Sequence, residues 1–223
     1  MTHSRGNAAP HIDVIFFDFS GVLAEEGFIE GLRAIGRAQG LDPEATMRTA
    51  TDLCYATGYV NGQTDEAAWW SAVRAATGMT GTDAALRAEI MNRFTVRPEM
   101  LCAADAVRAA GLRAAILSDH TNWLEEIDAA HGVYRHFDRV FNSFREGLNK
   151  RDPGFFTHAA TIMGVDPAHA AFFDDNAGHI GRATTLGIHA RLFTGRDAFR
   201  ADLAALAPQV ALPEGWPEWR PAE

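Results

Sequence analysis

The stretch that decides the fold is residues 13–23, which read Asp-Val-Ile-Phe-Phe-Asp-Phe-Ser-Gly-Val-Leu. Its apolar run from Val14 to Phe17 is rich in branched and aromatic residues and is followed by the turn-forming pair Ser20-Gly21, which is typical of a strand buried on both faces. Asp18 comes directly after this run. Because a carboxylate at the end of an apolar strand is costly to bury alone, we expect it to be paired, to bind a metal or to take part in chemistry. On this stretch alone, an aspartate that caps the next turn is the alternative.

The chain from Pro98 onward alternates between helical and strand-like segments. Short apolar runs predict four more strands, at residues 113–117, 139–142, 170–173 and 188–193. Helical segments separate them, including one that begins at Asp152-Pro153. Strands that alternate with helices of this length indicate a parallel sheet with helices on both faces. We therefore predict an α/β fold.

The intervening block, residues 24–95, shows helical periodicity only. Helix-start signals occur at Asp42-Pro43-Glu44, Thr64-Asp65-Glu66 and Thr82-Asp83. Four short helices with no strand between them predict a small helical unit inserted into the α/β fold. Trp69 and Trp70 lie on the third helix, and we expect one of this adjacent pair to point off the packed face.

Composition and charge restrict the possible functions. The net charge of −9 argues against a nucleic-acid groove or an anionic membrane surface as a partner. Cys54 and Cys102 are far apart and predict free thiols in a reducing compartment. Because neither a signal-peptide pattern nor a long apolar run is present, we predict a cytoplasmic protein. Residues 1–10 are polar and predict a disordered tail. The oligomeric state stays open.

Polar side chains follow three of the predicted strands at the point where each strand ends. Ligands of open parallel sheets bind outside the carboxyl ends of the strands, so these side chains should converge. They are Asp18 and Ser20, Ser118 and Asp119, and Asp174 and Asp175. Carboxylates gathered at one edge repel each other unless a hard cation lies among them, and Mg²⁺ prefers such oxygen ligands. The set predicts a phosphate site in which the Ser118 hydroxyl and backbone N–H groups hold the phosphate and a carboxylate attacks it in line.

Lys150 strengthens this prediction. It is the only lysine in the sequence, against nineteen arginines, so its position is not a random choice among the basic residues. A lysine is a compact point charge that suits a carboxylate nucleophile and a phosphoryl group together, whereas an arginine needs more room. A solvated surface lysine is the alternative.

Taken in order, four segments resemble the four motifs of the haloacid dehalogenase-like hydrolase superfamily. They are Asp18-Phe19-Ser20-Gly21-Val22, Ser118, Lys150-Arg151-Asp152-Pro153 and Phe172-Phe173-Asp174-Asp175. The match spans nearly the whole chain, and the helical block lies where that superfamily carries its helical cap. The resemblance implies a Rossmann-like, doubly wound parallel core at residues 11–23 and 96–223 with an inserted all-α cap at residues 24–95.

The resemblance also implies Mg²⁺-dependent phosphate-ester hydrolysis through an aspartyl-phosphate. By position, Asp18 would be the nucleophile, Ser118 would bind the phosphoryl group, and Lys150 would steady both. The implied metal ligands are Asp18, the backbone carbonyl of Ser20, Asp174 and Asp175. The residues expected to contact the substrate are Ser20, Gly21, Ser118, Asp119, His120 and Lys150. Residues 58–64 with Trp69 are similar to a cap loop and helix of sugar-phosphatase-like members, so the predicted substrate is a small phosphorylated metabolite such as a sugar phosphate.

One position departs from the pattern of most phosphatases in the superfamily. They carry a second aspartate two residues after the nucleophile as acid and base, and this chain has Ser20 there. A hydroxyl cannot do that work near neutral pH, and losing general acid catalysis costs about 10²- to 10⁴-fold. A metal-free 2-haloacid dehalogenase and a non-catalytic phosphate- and Mg²⁺-binding protein are therefore the alternatives. Asp174-Asp175 argues against the dehalogenase, and the lysine-free cap excludes a Schiff-base phosphonate mechanism.

Three further side chains have two possible interpretations at or near this site. His120 is interpreted as a capping or solvent-facing residue, with replacement of the missing acid as the alternative. His179 is interpreted as a surface or capping residue, with contact to the metal site as the alternative. Arg48, in the cap, is interpreted as a solvated helix residue rather than a carboxylate-binding arginine of the dehalogenase kind.

Overall fold

The computed structural model describes residues 9–217 of the chain. Five strands form one sheet: β1 (Val14–Phe17), β2 (Arg113–Ser118), β3 (Arg139–Asn142), β4 (Ala170–Asp174) and β5 (His189–Leu192). Their order is β3-β2-β1-β4-β5 and every pairing is parallel. The predicted parallel α/β sheet is confirmed. Most of the predicted tail at residues 1–10 lies outside the described residues.

Ten α-helices accompany the sheet within residues 9–217. They are α1 (Gly27–Ala38), α2 (Pro43–Ala56), α3 (Glu66–Thr77), α4 (Asp83–Met91), α5 (Pro98–Ala109), α6 (Trp123–His131), α7 (Ser143–Glu146), α8 (Pro153–Met163), α9 (Ala177–Thr185) and α10 (Arg196–Leu206). The sequence did not predict α7 or α10. The first is one turn long, and the second begins after Gly195 without a side-chain cap.

Helices cover both faces of the sheet, as a doubly wound fold requires. Successive side chains of β1 point to opposite faces. Val14 and Phe16 pack in a cluster with residues of α8 and α9. Ile15 and Phe17 pack in a second, larger cluster with residues of α5, α6 and α10. All four β1 side chains are fully buried, which explains why this strand reads as a continuous apolar run.

The block between β1 and β2 begins with four helices, α1 to α4, and the predicted start signals are used. Asp42, Asp65 and Thr82 each accept a backbone N–H in the first turn of α2, α3 and α4. The chain leaves and re-enters the sheet layer at one place, because Ala24 pairs with Val96 in an antiparallel bridge. In the described part of the chain no helix is long and apolar enough to cross a membrane.

The expectation that one tryptophan of the adjacent pair points off the packed face was wrong. Trp69 and Trp70 are both fully buried, and their ring centroids lie 4.2 Å apart. Trp69 donates to the Ala50 carbonyl of α2, and Trp123 of α6 contacts both rings. Helix α3 is therefore covered on two sides, which helical periodicity alone did not indicate.

Candidate active site

The exit of β1 places Asp18 beside β4. The Asp18 N–H donates to the Phe173 carbonyl at 2.9 Å, which continues the strand pairing by one residue. Its Oδ1 accepts the N–H of Phe19 at 2.7 Å. Burial raises the pKa of Asp18 well above its usual value, although the charge of Lys150 acts in the opposite direction. One carboxylate oxygen is therefore held by the backbone, while the other is directed at a cation.

Lys150 is that cation. Its Nζ lies 2.8 Å from Asp18 Oδ2 and 2.6 Å from Asp174 Oδ2, and its side chain is 1% exposed. Burial by itself lowers the pKa of Lys150, but the charges of Asp174 and Asp18 outweigh it and raise the pKa. Two backbone contacts fix the loop that carries it: the Lys150 N–H donates to Asp119 Oδ1, and its carbonyl accepts from Arg182. The solvated surface lysine is excluded.

Asp174 is fully buried and has a partner at each oxygen. Oδ1 accepts the Asn176 N–H at 2.7 Å, and Oδ2 binds Lys150. His179 Nδ1 lies 3.0 Å from Oδ2. Burial raises the pKa of this carboxyl, but Lys150 and His179 hold it below its usual range. The interpretation of His179 as a surface or capping residue was wrong, because the first turn of α9 packs the ring over the end of β4.

Asp175 follows on the cavity side of this cluster, against Gly21. Gly21 has a φ of +81°, and a Cβ built there would overlap the Asp175 carboxylate. Only glycine therefore leaves room for the acid at this point. Burial raises the pKa of Asp175, and the neighbouring charge of Asp174 adds to the increase.

Ser118 and Asp119 lie at the end of β2, as the sequence predicted, but in different surroundings. Ser118 is fully buried, and its Oγ has no hydrogen-bond partner among the described residues. A buried hydroxyl without a partner is costly, so it is a natural donor for a ligand oxygen. Asp119 accepts from Tyr55 Oη at 2.8 Å and from the Lys150 N–H at 2.7 Å. Its carboxylate thus joins α2 to the loop of Lys150.

A cavity of about 230 Å³ lies between these strand ends and the helices α1 and α2. The predicted site residues that line it are Asp18, Ser20, Asp119, His120, Lys150 and Asp175. Gly21 lines an adjacent opening with Asp175. Ser118 and Asp174 lie buried behind the wall of the cavity. The structure therefore brings every predicted site residue to one edge of the sheet.

A family model for haloacid dehalogenase-like hydrolases matches residues 12–181. The chain belongs to the haloacid dehalogenase-like hydrolase family. The match runs from the residue before Asp13 into α9, so it includes all four strand-end segments described above. The resemblance found in the sequence is confirmed.

Two curated proteins are similar to part of the chain, and the first carries the family's name. The haloacid dehalogenase-like hydrolase domain-containing protein 3 of Bos taurus is 31% identical over 103 residues, which cover 46% of this chain and 41% of that protein. The acyl-CoA dehydrogenase family member 10 of Mus musculus is 32% identical over 92 residues, 41% of this chain and 9% of that protein. The chain thus matches less than half the length of these relatives.

Solved structures share the fold. The HAD family enzyme bt-2542 of Bacteroides thetaiotaomicron, solved in complex with magnesium and inorganic phosphate, superposes with a TM-score of 0.64 at 19% identity and covers 81% of this chain and 93% of that chain. The L-2-haloacid dehalogenase of Xanthobacter autotrophicus, with chloropropionic acid covalently bound, gives 0.60 at 20% identity and covers 90% and 84%. At these identities the likeness supports the fold alone.

The donor set of this haloacid dehalogenase-like chain fits a hard divalent cation. Asp18, Asp174 and His179 each offer one ligand atom, and these atoms lie within 4.8 Å of one another. Asp174 and Asp175 both raise the pKa of Asp18 through their charge, so the acids repel each other even with Lys150 present. A cation bound by carboxylate oxygens would offset this repulsion. Asp18 has one partner at each oxygen, and a carboxylate has about four lone-pair sites, so Asp18 keeps the capacity to bind a cation as well.

His120 does not behave as the sequence analysis expected. It is neither a cap nor solvent-facing: the ring is buried against Phe19 and Phe94, at 5.5 and 5.2 Å between centroids. Burial lowers its pKa to about 4, so the ring is neutral at pH 7 and cannot donate as an imidazolium. Its Nε2 is buried without a hydrogen-bond partner among the described residues. His120 as a whole lines the cavity.

Several cavity residues were not proposed from the sequence. Glu26 lines the cavity and caps α1 through the Ile29 N–H, and burial raises its pKa to about 7. Arg151, Arg182 and Thr51 line it too. Of these residues, Arg151 could have been suggested by the sequence, because it directly follows Lys150. Arg48 is exposed and does not line the cavity, which agrees with its interpretation as a solvated residue.

Proposed function

We propose that this protein is a Mg²⁺-dependent hydrolase that acts on a small phosphorylated metabolite through an aspartyl-phosphate at Asp18. The observation that carries the proposal is the buried ion cluster in which Lys150 bridges Asp18 and Asp174 at the wall of the cavity. An ion pair that served only the surface would leave these three side chains exposed to solvent, and they are buried. An aspartate held in this way is positioned as a nucleophile rather than as a helix cap.

The chain's own residues then divide the work. The Phe19 N–H holds Oδ1 of Asp18 and Lys150 holds Oδ2, so the carboxylate is oriented before substrate binds. An Asp18 oxygen attacks phosphorus, the bond from phosphorus to the ester oxygen breaks, and the leaving oxygen takes up a proton from solvent, to which the water of the second step returns one. Water then attacks the aspartyl-phosphate, which releases inorganic phosphate and restores Asp18. The Ser118 hydroxyl lies behind the cavity wall without a partner among the described residues, and we propose that it donates to a phosphoryl oxygen bound at that wall.

Asp18, Asp175, Asp174 and the main-chain carbonyl of Ser20 are the ligands we propose for Mg²⁺. When bound, the ion would neutralise part of the negative charge of the phosphate. The overlap that any side chain at position 21 would make with Asp175 supports a role for Gly21 in keeping this carboxylate in place.

The cavity favours a small, polar substrate. Its volume of about 230 Å³ is below the roughly 300–1,000 Å³ of pockets for drug-sized ligands. Thr51 Oγ1 from α2 and His120 Nε2 from the sheet edge are buried without partners among the described residues, and both residues line the cavity. Hydroxyl groups of a sugar phosphate would satisfy such atoms from both walls.

We propose that residues 24–95 act as a cap over a core formed by residues 11–23 and 96–223. The two crossings are held by the Ala24–Val96 bridge and by Arg97, which donates to the Gly21 and Val22 carbonyls. Residues 24–27 and 94–97 would absorb the closing motion. A cytoplasmic location and the lack of a nucleic-acid partner remain predictions from composition.

Removal of divalent metal is expected to abolish turnover. Without a cation, the acids of the cavity repel a phosphate dianion, and losing several kcal/mol of charge stabilisation corresponds to at least about a 10²-fold lower rate. The assay is hydrolysis of p-nitrophenyl phosphate before and after EDTA, with Mg²⁺ added back as the control. Activity that survives EDTA contradicts the proposal.

The same assay separates the alternatives. Chloride release from 2-chloropropionate without metal would favour the dehalogenase, in which Asp18 attacks carbon. Binding of phosphate and Mg²⁺ without turnover of either substrate class would favour the non-catalytic protein.

Ser20→Asp is expected to raise turnover of a phosphate ester with a poor leaving group. The new carboxyl would supply the acid that this position lacks, a contribution of up to about 10²- to 10⁴-fold. Hydrolysis of p-nitrophenyl phosphate should change far less, because its leaving group needs little protonation. Ser20→Asn is the control of similar size without an acid.

An unchanged rate for Ser20→Asp would mean that another group already protonates the leaving oxygen. His120 is unsuited because its pKa is lowered to about 4. Glu26, whose pKa is raised to about 7 by burial, lines the same cavity. The companion variant Glu26→Gln tests whether Glu26 is that proton donor. It should then lower the rate only for the ester with the poor leaving group.

A further inference from the structure

Two histidines and an aspartate gather at the opposite end of the sheet from the candidate active site. His11 and Asp13 precede β1, and His169 precedes β4. Each offers one ligand atom, and these atoms lie within 4.8 Å of one another. Nothing in the proposed hydrolysis uses these side chains.

The backbone, rather than the side chains alone, holds this group together. The Asp13 N–H donates to the His169 carbonyl at 2.8 Å, one step before the Val14–Ala170 pair of the β1–β4 ladder. Ile12 is buried in the core, so His11 and Asp13 on either side of it face outward. Strand pairing therefore fixes Asp13 and His169 beside each other before any ligand arrives, and His11 follows from its place two residues before Asp13.

The two carboxylate oxygens of Asp13 lie at distances from the two histidines that are close to those between ligands of one metal ion. His11 Nε2 lies 3.1 Å from Asp13 Oδ1, and His169 Nδ1 lies 3.5 Å from Asp13 Oδ2. Zinc binds histidine nitrogen and carboxylate oxygen at about 2.0–2.2 Å, which places neighbouring tetrahedral ligands about 3.3–3.6 Å apart. The side chains of His11, Asp13 and His169 are 71%, 38% and 44% exposed, so an ion can reach them.

The location separates this group from the active site. Asp13 and Asp18 stand at the two ends of β1, about 16 Å apart at the usual rise per strand residue. The catalytic cluster is built of carboxylate oxygens and a lysine, which suits a hard cation, whereas two imidazoles and one carboxylate suit zinc.

We propose that His11, Asp13 and His169 form a second metal site, which binds Zn²⁺ through two imidazole nitrogens and a carboxylate and leaves a position for water. The ion would tie the segment before β1 to the turn before β4. Its contribution would be to stability, because the site is remote from the reacting groups.

The test is a Zn²⁺ titration by calorimetry on the full chain without an affinity tag, in excess Mg²⁺. Wild-type protein should bind one equivalent of Zn²⁺ that His169→Ala and Asp13→Asn lose or bind more than about tenfold more weakly, since even an outer-shell change costs about 10- to 100-fold in metal affinity. His189→Ala is the matched control, because its ring lies on neighbouring β5 and bonds the Ala168 carbonyl instead.

Two further measurements keep the proposal falsifiable. Zn²⁺ should raise the melting temperature of wild type and of His189→Ala but not of His169→Ala, and p-nitrophenyl phosphate hydrolysis in Mg²⁺ should be the same for all three. Equal Zn²⁺ stoichiometry and affinity in wild type and both site variants would overturn the proposal. Absence of any hydrolysis in wild type would count against the proposed function and leave this site unaffected.

Discussion

Asp18→Asn is expected to abolish hydrolysis of p-nitrophenyl phosphate while the fold is retained. The amide keeps the size of the side chain and its contact with the Phe19 N–H, but it is not a nucleophile. Removing a nucleophile in a cooperating set costs several orders of magnitude, so we expect a loss of at least about 10³-fold. The measurement is turnover in saturating Mg²⁺, together with circular dichroism to show that the variant is folded.

The matched control is Asp52→Asn. Asp52 is an exposed acid on α2, and within residues 9–217 its one ion pair is a 3.5 Å contact with Arg151. The Asp52→Asn variant should have a turnover within about twofold of wild type, since surface substitutions have small effects. Comparable activity in Asp18→Asn and wild type would refute the aspartyl-phosphate mechanism, whatever the control does.

Lys150→Met is expected to damage both stability and activity. The lysine neutralises two buried acids, Asp18 and Asp174, and breaking a buried pair by removing one partner costs about 3–5 kcal/mol of unfolding free energy. Turnover should fall as well, because the Asp18 carboxylate loses the group that orients it. The free energy of unfolding is measured by urea denaturation at neutral pH, in parallel with the phosphatase assay.

The stability loss of Lys150→Met is expected to depend on pH in one direction. The pKa of Asp18 is already raised by burial and by the neighbouring acids, and loss of the lysine raises it further. Lowering the pH therefore favours protonation of Asp18 more in the variant than in wild type, so the stability deficit of Lys150→Met should shrink as the pH falls. Arg151→Met is the control, because its side chain is 48% exposed. A deficit equal to that of the control would show that the buried cluster contributes nothing.

The sequence predicted the site because its residues follow strands. Asp18, Ser118 and Asp174 each come after an apolar run, and the carboxyl ends of parallel strands meet at one edge whatever the helices do. Lys150 is the exception, since it lies in a loop and was identified by its rarity among the basic residues. The structure places its Nζ between two of these acids.

The residues that sequence reasoning misjudged lie where two elements cover each other. His179 and His120 were expected near solvent and are buried, because the first turn of α9 packs over β4 and because Phe94 approaches from the end of the helical block. Glu26 carries no motif, and its raised pKa comes from burial at the cavity wall. Periodicity describes one element at a time and contains no information about what packs above it.

The sequence by itself determined the parallel α/β fold, the inserted helices and the edge of the sheet at which the acids meet, since each depends on local pattern and on the direction of strands. Only the tertiary structure decided which groups are charged, which polar atoms lack partners and which helical residues face the cavity. Burial and distance set those properties, and both arise from contacts between segments far apart along the chain.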